Sequence, residues 1–184
     1  SNVSCYKYNK HSKIITERRD SVNQEKIGKF IAENRKKQKI SYNDLPQVLI
    51  DAIIATEDSR FFQHNGMDIA RFSKAAIGQV LGHDDAGGGS TLTMQVSKNA
   101  ATSVVSSGIQ GIIRKFTDIY MSVFKVEKNY TKEDIIELYV NYHCLGSSIY
   151  GVGEASKYYF GKSVSELTLP EASLLAGLFQ ALWP

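Results

Sequence analysis

Between residues 43 and 57, apolar and polar positions follow the pattern of one helix face. The apolar positions are Leu45, Val48, Leu49, Ala52 and Ile53. This i, i+3, i+4 order predicts an amphipathic helix that begins near Asn43, a residue suited to the N-cap. Glu57 follows Ile53 by four residues and therefore continues the apolar face. We expect its carboxylate to point inward or into a cleft, where such a group can serve as an acid or a base.

Two more helices are predicted from apolar periodicity. One begins at Asp68 and ends at Gly82, with a core-facing side of Ile69, Phe72, Ala76, Ile77 and Val80. The other spans about Ile112 to Lys128, and its apolar stripe consists of Ile112, Phe116, Ile119, Val123 and Val126.

End signals place three shorter helices in the last third of the chain. Thr131 and Thr168 are each followed three residues later by an acidic residue, Asp134 and Glu171, which is the spacing of a capping box. Gly161 is expected to stop the helix within EASKYYFG. Because an alternating strand pattern is hard to find, the sequence predicts a mainly α fold.

Composition limits the chain to one globular unit. Its 184 residues are 42% hydrophobic and 22% charged, which favours a well-buried domain over disorder. We predict a polar N-terminal linker over residues 1–42 and a single domain over residues 43–184. In the linker, the cationic run ENRKKQK (33–39) is better explained as a solvated face than by attraction to an anionic membrane.

Charge and cysteine content select no single function. The net charge of +3 fits a phosphate, nucleic acid or an acidic membrane surface as partner. Cys5 and Cys144 lack a metal-binding spacing, and two thiols are favoured over a disulfide. No apolar run is long enough to span a membrane. Since the chain begins at Ser1 without methionine, we expect that an anchor or further domains of the natural protein are absent here.

Two segments carry candidate chemistry. In GHDDAGGGSTLTMQVSKNA (82–100), three consecutive glycines precede Ser90 and would allow the backbone to approach a ligand closely, although most glycine-rich loops are merely flexible. On the helix after Ile112, four charged residues share one side: Arg114, Lys115, Asp118 and Lys125. A solvated salt-bridge ladder and a surface for a phosphate with a divalent ion explain these charges equally well.

Four motifs in this order resemble glycosyltransferase family 51, the peptidoglycan glycosyltransferases. They are EDSRFFQHNG, GGSTLTMQVSKN, RKFTDIYMSVFKVEKNYTKEDIIELYVN and YYFGKSVSELTLPEASLLAGLFQ, and together they cover most of residues 43–182. Members of this family are monofunctional enzymes or the N-terminal domains of class A penicillin-binding proteins.

The resemblance implies a lysozyme-like helical fold with a large lobe, a small membrane-facing jaw lobe and a cleft between them. The segment 101–113 lies where the family places its jaw. The implied reaction joins lipid II to a growing glycan strand, which is the donor, and releases polyprenyl pyrophosphate. The implied place is the outer face of the bacterial plasma membrane, with a single N-terminal anchor that we expect to be absent from this sequence. Implied partners are lipid II, the glycan strand, the membrane surface, and cell-wall synthesis or division proteins, without nucleic acid.

In the first motif, the resemblance places the catalytic glutamate at Glu57. This residue would be the general base that takes the proton from the 4-hydroxyl of the acceptor sugar, so that attack on the donor inverts its anomeric carbon. Asp58, Phe61 and His64 match the family pattern as substrate-site residues. We expect Asp58 to orient the turn and His64 to hydrogen-bond locally.

The second motif corresponds to the donor-site segment of the family. The matching residues are Gly89, Ser90, Thr91, Thr93, Gln95, Lys98 and Asn99. Their hydroxyl, amide and ammonium groups suit a sugar pyrophosphate. Met94 departs from the family pattern, where glutamine is usual, and one polar contact is lost.

The third motif contains the residues that are expected to bind the leaving group. It also contains the main difference between this chain and the family pattern. Arg114 and Lys115 match the family, but Asp118 stands where a second glutamate is usual. Its stem is one methylene shorter, and a shift of about 1 Å matters for catalytic geometry. Asp118 is expected to help hold Mg²⁺ or Mn²⁺ against the pyrophosphate.

Further matching residues are assigned structural roles. They are Glu137, Asn141, Gly146, Gly151 and Glu171. Two other hypotheses stay open: a lipid II-binding scaffold whose catalysis has lapsed through Asp118 and Met94, and a lysozyme-like hydrolase or lytic transglycosylase with a cleft glutamate.

Overall fold

The fold is built from seven α-helices in the part of the chain that the structure, a computed structural model, describes: residues 40–80, 82, 89–101, 108–146 and 149–181. They are α1 (Gln47–Glu57), α2 (Ile69–Val80), α3 (Leu92–Ala101), α4 (Gly108–Met121), α5 (Lys132–Tyr142), α6 (Val152–Phe160) and α7 (Leu169–Ala181). A π-helical segment (Ser122–Val126) and a last α-turn (Glu127–Asn129) continue α4. Extended pairing among these residues is limited to the bridge between Cys144 and Tyr150. The prediction of a mainly α fold is confirmed.

Helix α1 presents the predicted face to the core but begins later than predicted. Leu49, Ile53 and Glu57 are buried on one side. The helix begins at Gln47 because Leu45 precedes Pro46 and adopts an extended conformation, as proline disfavours a helical residue before it. The residues before it form a separate 3₁₀ turn, Tyr42–Asp44, which Ser41 caps. The predicted N-cap at Asn43 is therefore wrong.

The apolar faces predicted for α2 and α4 are wrong in part. Ile69 and Ile77 of α2 are exposed, and so are Ile112 (60%) and Phe116 (66%) of α4. The buried side of α4 and its continuation consists of Asp118, Met121, Ser122 and Val126. Periodicity identifies the apolar residues of this helix but not the side that the rest of the fold covers.

Helix α3 lies at the centre of the fold. Residues 91–97 are all buried, and the helix packs against α4, the π-helical segment and α5. Its N-terminus is capped twice: Thr91 Oγ1 accepts the Met94 N–H at 3.2 Å, and Asp58 Oδ2 accepts the Leu92 N–H at 3.0 Å. These bonds satisfy main-chain donors that a buried helix end would otherwise leave open.

A hydrophobic core joins α1, α5 and α7. Helix α7 packs along α1, and Phe179 of α7 stacks on Tyr139 of α5 with ring centroids 5.1 Å apart. His143 packs against both rings. Full burial of a side chain such as Phe179 contributes about 1.5–3 kcal/mol to stability.

The predicted end signals of the later helices are confirmed. Thr131 and Asp134 form the capping box of α5, and Gly161 ends α6 in a left-handed conformation (φ 70°). Thr168 pairs with Glu171 at the start of α7 through its main-chain N–H and its hydroxyl.

Three of the residues assigned structural roles contact other segments of the chain. The Glu137 carboxylate accepts the Tyr42 N–H at 2.8 Å, and the Asn141 side chain donates to the Ile40 carbonyl at 2.7 Å. Gly151 has φ 81°, and a Cβ there would lie 2.8 Å from the Asn141 carbonyl oxygen. Only glycine fits that approach.

The remaining sequence predictions concern the cysteines, the loop segments and membrane-spanning helices. Cys144 is disulfide-bonded, so the thiol prediction is wrong for this residue. Cys5 and the cationic run 33–39 lie outside the described residues, as do 83–88 of the glycine-rich loop and 102–107 of the predicted jaw. Helices in the described part of the chain are too short or too polar to cross a bilayer.

We predict that His143 makes stability fall at acid pH. Burial, aided by the charge of Lys98, lowers the pKa of His143 from 6.5 to about 4. Between these values the unfolded chain binds a proton that the folded chain does not. Stability is therefore lost as the pH falls, by about 3 kcal/mol between neutral pH and pH 4.

The measurement is the free energy of unfolding in urea at neutral pH and near pH 4, for the wild type and His143→Phe. Because phenylalanine cannot titrate, the variant should lose about 3 kcal/mol less than the wild type over this range. Equal losses would rule out His143 as the source.

Candidate active site

Glu57 ends α1 with its side chain turned inward, as predicted. It is 8% exposed, and the Gln95 side-chain amide of α3 donates to Oε2 at 2.8 Å. Oε1 is buried and has no hydrogen-bond partner among the described residues. Arg71 of α2 donates to the Glu57 main-chain carbonyl at 2.6 Å. The carboxylate thus has one fixed oxygen and one oxygen with remaining capacity to accept a proton or a hydrogen bond.

Asp58 joins the turn after Glu57 to α3. It is fully buried, and both of its carboxylate oxygens lie 3.1 Å from Nε2 of His64. One of them also accepts the Leu92 N–H. Phe61 of the same turn is fully buried in the core. These contacts agree with the expected local roles of Asp58 and His64.

Gly66 permits a close approach between this turn and the π-helical segment. Its φ is 81°, and a Cβ would lie 2.9 Å from the Ser122 carbonyl carbon. Its own carbonyl accepts the Thr91 hydroxyl at 2.7 Å. A larger residue would push the turn away from both α3 and the π-helical segment.

Helix α3 carries most of the second motif, and its hydroxyls face the interior. Thr91 and Thr93 are fully buried, and Thr93 donates to the Glu127 carboxylate at 2.6 Å. Met94 is also buried, where a thioether needs no polar partner. Gln95, Lys98 and Asn99 follow at i, i+3 and i+4, so they share one side of the helix.

A cationic cluster lies one helical turn from the Glu57–Gln95 contact. Burial and the neighbouring Arg114 charge lower the pKa of Lys98, while Asp118 opposes this shift. Burial likewise lowers the pKa of Lys115, with Arg114 adding to the effect and Asp118 opposing it. These causes place three cations around one carboxylate, an excess of positive charge suited to a phosphate.

The glycine-rich segment meets this cluster at Ser90. The Lys115 ammonium donates to the Ser90 hydroxyl at 2.6 Å. Gly89, beside it, packs against α2, where a Cβ would lie 3.3 Å from that of Ala75. The fold therefore brings the second and third motifs together.

The side chains of this cluster could bind a divalent cation only together with oxygen atoms of a bound ligand. Asp118 is 3% exposed and is the carboxylate of this cluster. Among the described residues, no three acidic, histidine or cysteine side chains form a group that could hold a metal by themselves. One carboxylate together with substrate phosphate oxygens is, however, the usual way in which proteins bind Mg²⁺.

Several residues around the site were not singled out from the sequence. Arg71 donates to the Glu57 carbonyl, and Glu127 accepts hydrogen bonds from both Thr93 and Lys132. Tyr139 is buried close enough to Glu57 for the carboxylate charge to raise the tyrosine pKa further, beyond the larger effect of burial. Periodicity carries no signal for these contacts, because each joins different helices or turns.

Comparison with known proteins gives consistent matches. The family model described as transglycosylase matches residues 23–182. Penicillin-binding protein 1A of Neisseria gonorrhoeae is 40% identical over 161 residues, 88% of this chain and 19% of that protein. The protein of the same name from Neisseria flavescens is 41% identical over 155 residues, 84% of this chain and 18% of that protein. The one from Vibrio cholerae is 38% identical over 156 residues, with the same coverage.

The chain spans about a fifth of the length of these relatives. The family match begins at residue 23, within the segment predicted as a linker, and extends almost to the end of the chain. It covers all four motifs that carry the resemblance. The chain therefore belongs to the transglycosylase family, the glycosyltransferase family 51 of peptidoglycan glycosyltransferases.

Proposed function

We propose that this domain polymerises lipid II into β-1,4-linked glycan strands by an inverting mechanism. The observation that carries the proposal is the placement of Glu57 and the cationic cluster on one side of α3. Gln95 holds the carboxylate, and Lys98, one helical turn further, belongs to the cluster. Family membership supports the same reaction.

Glu57 is the general base of the proposed reaction. Its carboxylate takes the proton of the acceptor 4-hydroxyl, and the oxygen then forms a bond to the anomeric carbon of the donor strand. The bond between that carbon and the pyrophosphate oxygen breaks, and polyprenyl pyrophosphate leaves with the electron pair. Gln95 orients the base, because its amide donates to one carboxylate oxygen and leaves the other for the hydroxyl.

The cationic cluster stabilises the leaving group. Lys98, Arg114 and Lys115 offer N–H donors to a pyrophosphate whose charge grows as the glycosidic bond breaks. Burial is the main cause of the lowered pKa values of the two lysines, and the neighbouring Arg114 charge adds to it. A bound pyrophosphate would favour the charged form of both lysines.

Asp118 would hold a Mg²⁺ or Mn²⁺ ion together with the pyrophosphate. When bound, such an ion supplies additional charge stabilisation for the departing pyrophosphate. Asp118 also lies among the cations, where its charge supports the protonated lysines.

An exposed apolar face on α4 and its continuation supports a membrane surface as partner. Five large side chains lie there, each 47–66% exposed: Ile112, Ile113, Phe116, Tyr120 and Phe124. The Lys128 ammonium lies 5.7 Å from the Phe124 ring centroid, so a cation borders the face. Apolar side chains bordered by cations suit the headgroup region above an anionic bilayer, where a polyprenyl-linked substrate would reside.

Replacing Glu57 by glutamine should abolish polymerisation. The amide keeps the shape but cannot take a proton, so we expect kcat to fall by about 100-fold or more. Purified protein is incubated with lipid II and Mg²⁺ or Mn²⁺, and glycan products are separated by gel electrophoresis. Glu133→Gln, an exposed change at the start of α5, is the matched control and should leave the rate unchanged.

No polymer from the wild type would refute the proposed function, as would full activity of Glu57→Gln. Cleavage of finished glycan, detected by mass spectrometry, would instead favour the hydrolase hypothesis.

Asp118→Asn should lower kcat by about tenfold or more at saturating metal, because the charge that faces the cations and would hold the ion is lost. Polymerisation is measured in a titration of Mg²⁺ and of Mn²⁺ for the wild type, Asp118→Asn and Asp118→Glu. If the wild type binds lipid II without polymerising it, while Asp118→Glu makes polymer, the scaffold hypothesis is correct.

The double variant Phe116→Ser/Tyr120→Ser should bind vesicles that contain anionic lipids about tenfold more weakly than the wild type, because two exposed aromatic rings are removed from the apolar face. Co-sedimentation with vesicles measures this binding. Tyr158→Ser removes an equally exposed ring from α6 and serves as the control. Equal binding of all three proteins would exclude the α4 face as the membrane contact.

A further inference from the structure

We propose that Lys132 and Glu127 act as a positioning pair for the reaction proposed above, by holding the turn 61–64 against α3. The inference rests on the proposed function for its catalytic meaning. Its geometry rests on four contacts that connect the first motif, the second motif and the start of α5.

Glu127 supplies the acceptor at the centre of these contacts. It follows the π-helical segment, and its side chain is only 6% exposed. Its Oε1 accepts the Thr93 hydroxyl at 2.6 Å and the Lys132 ammonium at 2.8 Å. A carboxylate so far removed from water needs such partners.

The Lys132 ammonium makes three contacts within the protein. The side chain is 18% exposed, and Nζ donates to the His64 main-chain carbonyl at 2.7 Å as well as to Glu127. Nζ also lies 4.3 Å from the centroid of the Phe61 ring. An ammonium has three donors. Two serve the carbonyl and the carboxylate, and the cation faces the ring, so Lys132 is engaged with the turn rather than with solvent.

These contacts close a ring between the turn and α3. Lys132 binds the His64 carbonyl, and the His64 side chain meets Asp58, which accepts the Leu92 N–H of α3. On the other side, Lys132 binds Glu127, which accepts the Thr93 hydroxyl of the same helix. The turn is thus fastened to the first residues of α3 at two points.

The two points lie close in sequence to the residues of the catalytic contact. Glu57 directly precedes Asp58, and Gln95 follows Thr93 by two residues. Loosening either attachment would let the general base move relative to the helix that carries Gln95 and Lys98. A displacement of about 1 Å at a reacting group can cost about 100-fold in rate.

A second lysine–glutamate pair offers a matched comparison. Lys162 and Glu171 also lie 2.8 Å apart, but their side chains are 29% and 24% exposed, and they join the end of α6 to the start of α7. Replacing the lysine in either pair removes an ion pair, but only the change at Lys132 should also disturb the catalytic geometry. Comparing the two variants therefore separates these effects.

The first test compares Lys132→Met with Lys162→Met. Methionine retains an apolar stem but removes the ammonium. We expect Lys132→Met to lower kcat by about 10- to 100-fold with KM changed less than about threefold, because geometry rather than ligand contact is lost. Lys162→Met should keep the wild-type kcat. A wild-type kcat in Lys132→Met would overturn the proposal, whatever its thermal stability.

The second test exchanges the charges in Glu127→Lys/Lys132→Glu. This variant keeps two opposite charges at the same positions but has no donor for the His64 carbonyl and no cation at the Phe61 ring. The proposal expects kcat to stay as low as in Lys132→Met. Recovery of the wild-type kcat would show that any ion pair suffices, and would overturn it.

A third measurement does not depend on activity. Amide hydrogen exchange is followed in peptides that cover residues 58–66 and 91–95, and it should be faster in Lys132→Met than in the wild type and in Lys162→Met. Unchanged exchange would refute the positioning pair. If the wild type made no polymer, the proposed function would fail, and this exchange difference would still decide whether Lys132 fastens the turn to α3.

Discussion

The hydrogen bond from the Leu92 N–H to the buried Asp58 carboxylate is the contact on which the site depends. It places a negative charge at the N-terminus of α3, where the helix dipole favours an anion. The same carboxylate meets His64 and directly follows Glu57. One side chain therefore sets the position of the proposed base relative to the helix that holds Gln95 and Lys98.

Helix α3 can occupy the centre of the fold because its polar groups are satisfied internally. Thr91 and Thr93 donate to the Gly66 carbonyl and to Glu127, and Ser97 donates to the Thr93 carbonyl. An unpaired buried hydroxyl would cost about 1–3 kcal/mol, so each of these bonds removes a penalty rather than adding a large gain. The buried surface of α3 is polar where it faces the turn after Glu57. It is apolar where Leu92 and Val96 pack in the hydrophobic core.

The sequence predicted the parts of this arrangement that local pattern or family motifs record. The apolar period placed Glu57 inward, and the capping residues marked α5 and α7, because these signals act within a few residues. Periodicity failed at Ile112 and Phe116, since it records which residues are apolar and not what covers them. Contacts such as Lys132 with His64 join segments 68 residues apart, and no local rule predicts them. The motifs indicated which segments meet but not which atoms do.

The cations around Asp118 would also couple the proposed binding of pyrophosphate to the uptake of protons. Burial lowers the pKa values of Lys98 and Lys115, so at alkaline pH part of each ammonium is neutral while the site is empty of anions. A phosphorylated ligand would favour the charged form and draw protons from the solvent. The affinity of the proposed pyrophosphate site for an anion should therefore fall as the pH rises, and the heat of binding should depend on the buffer that releases the protons.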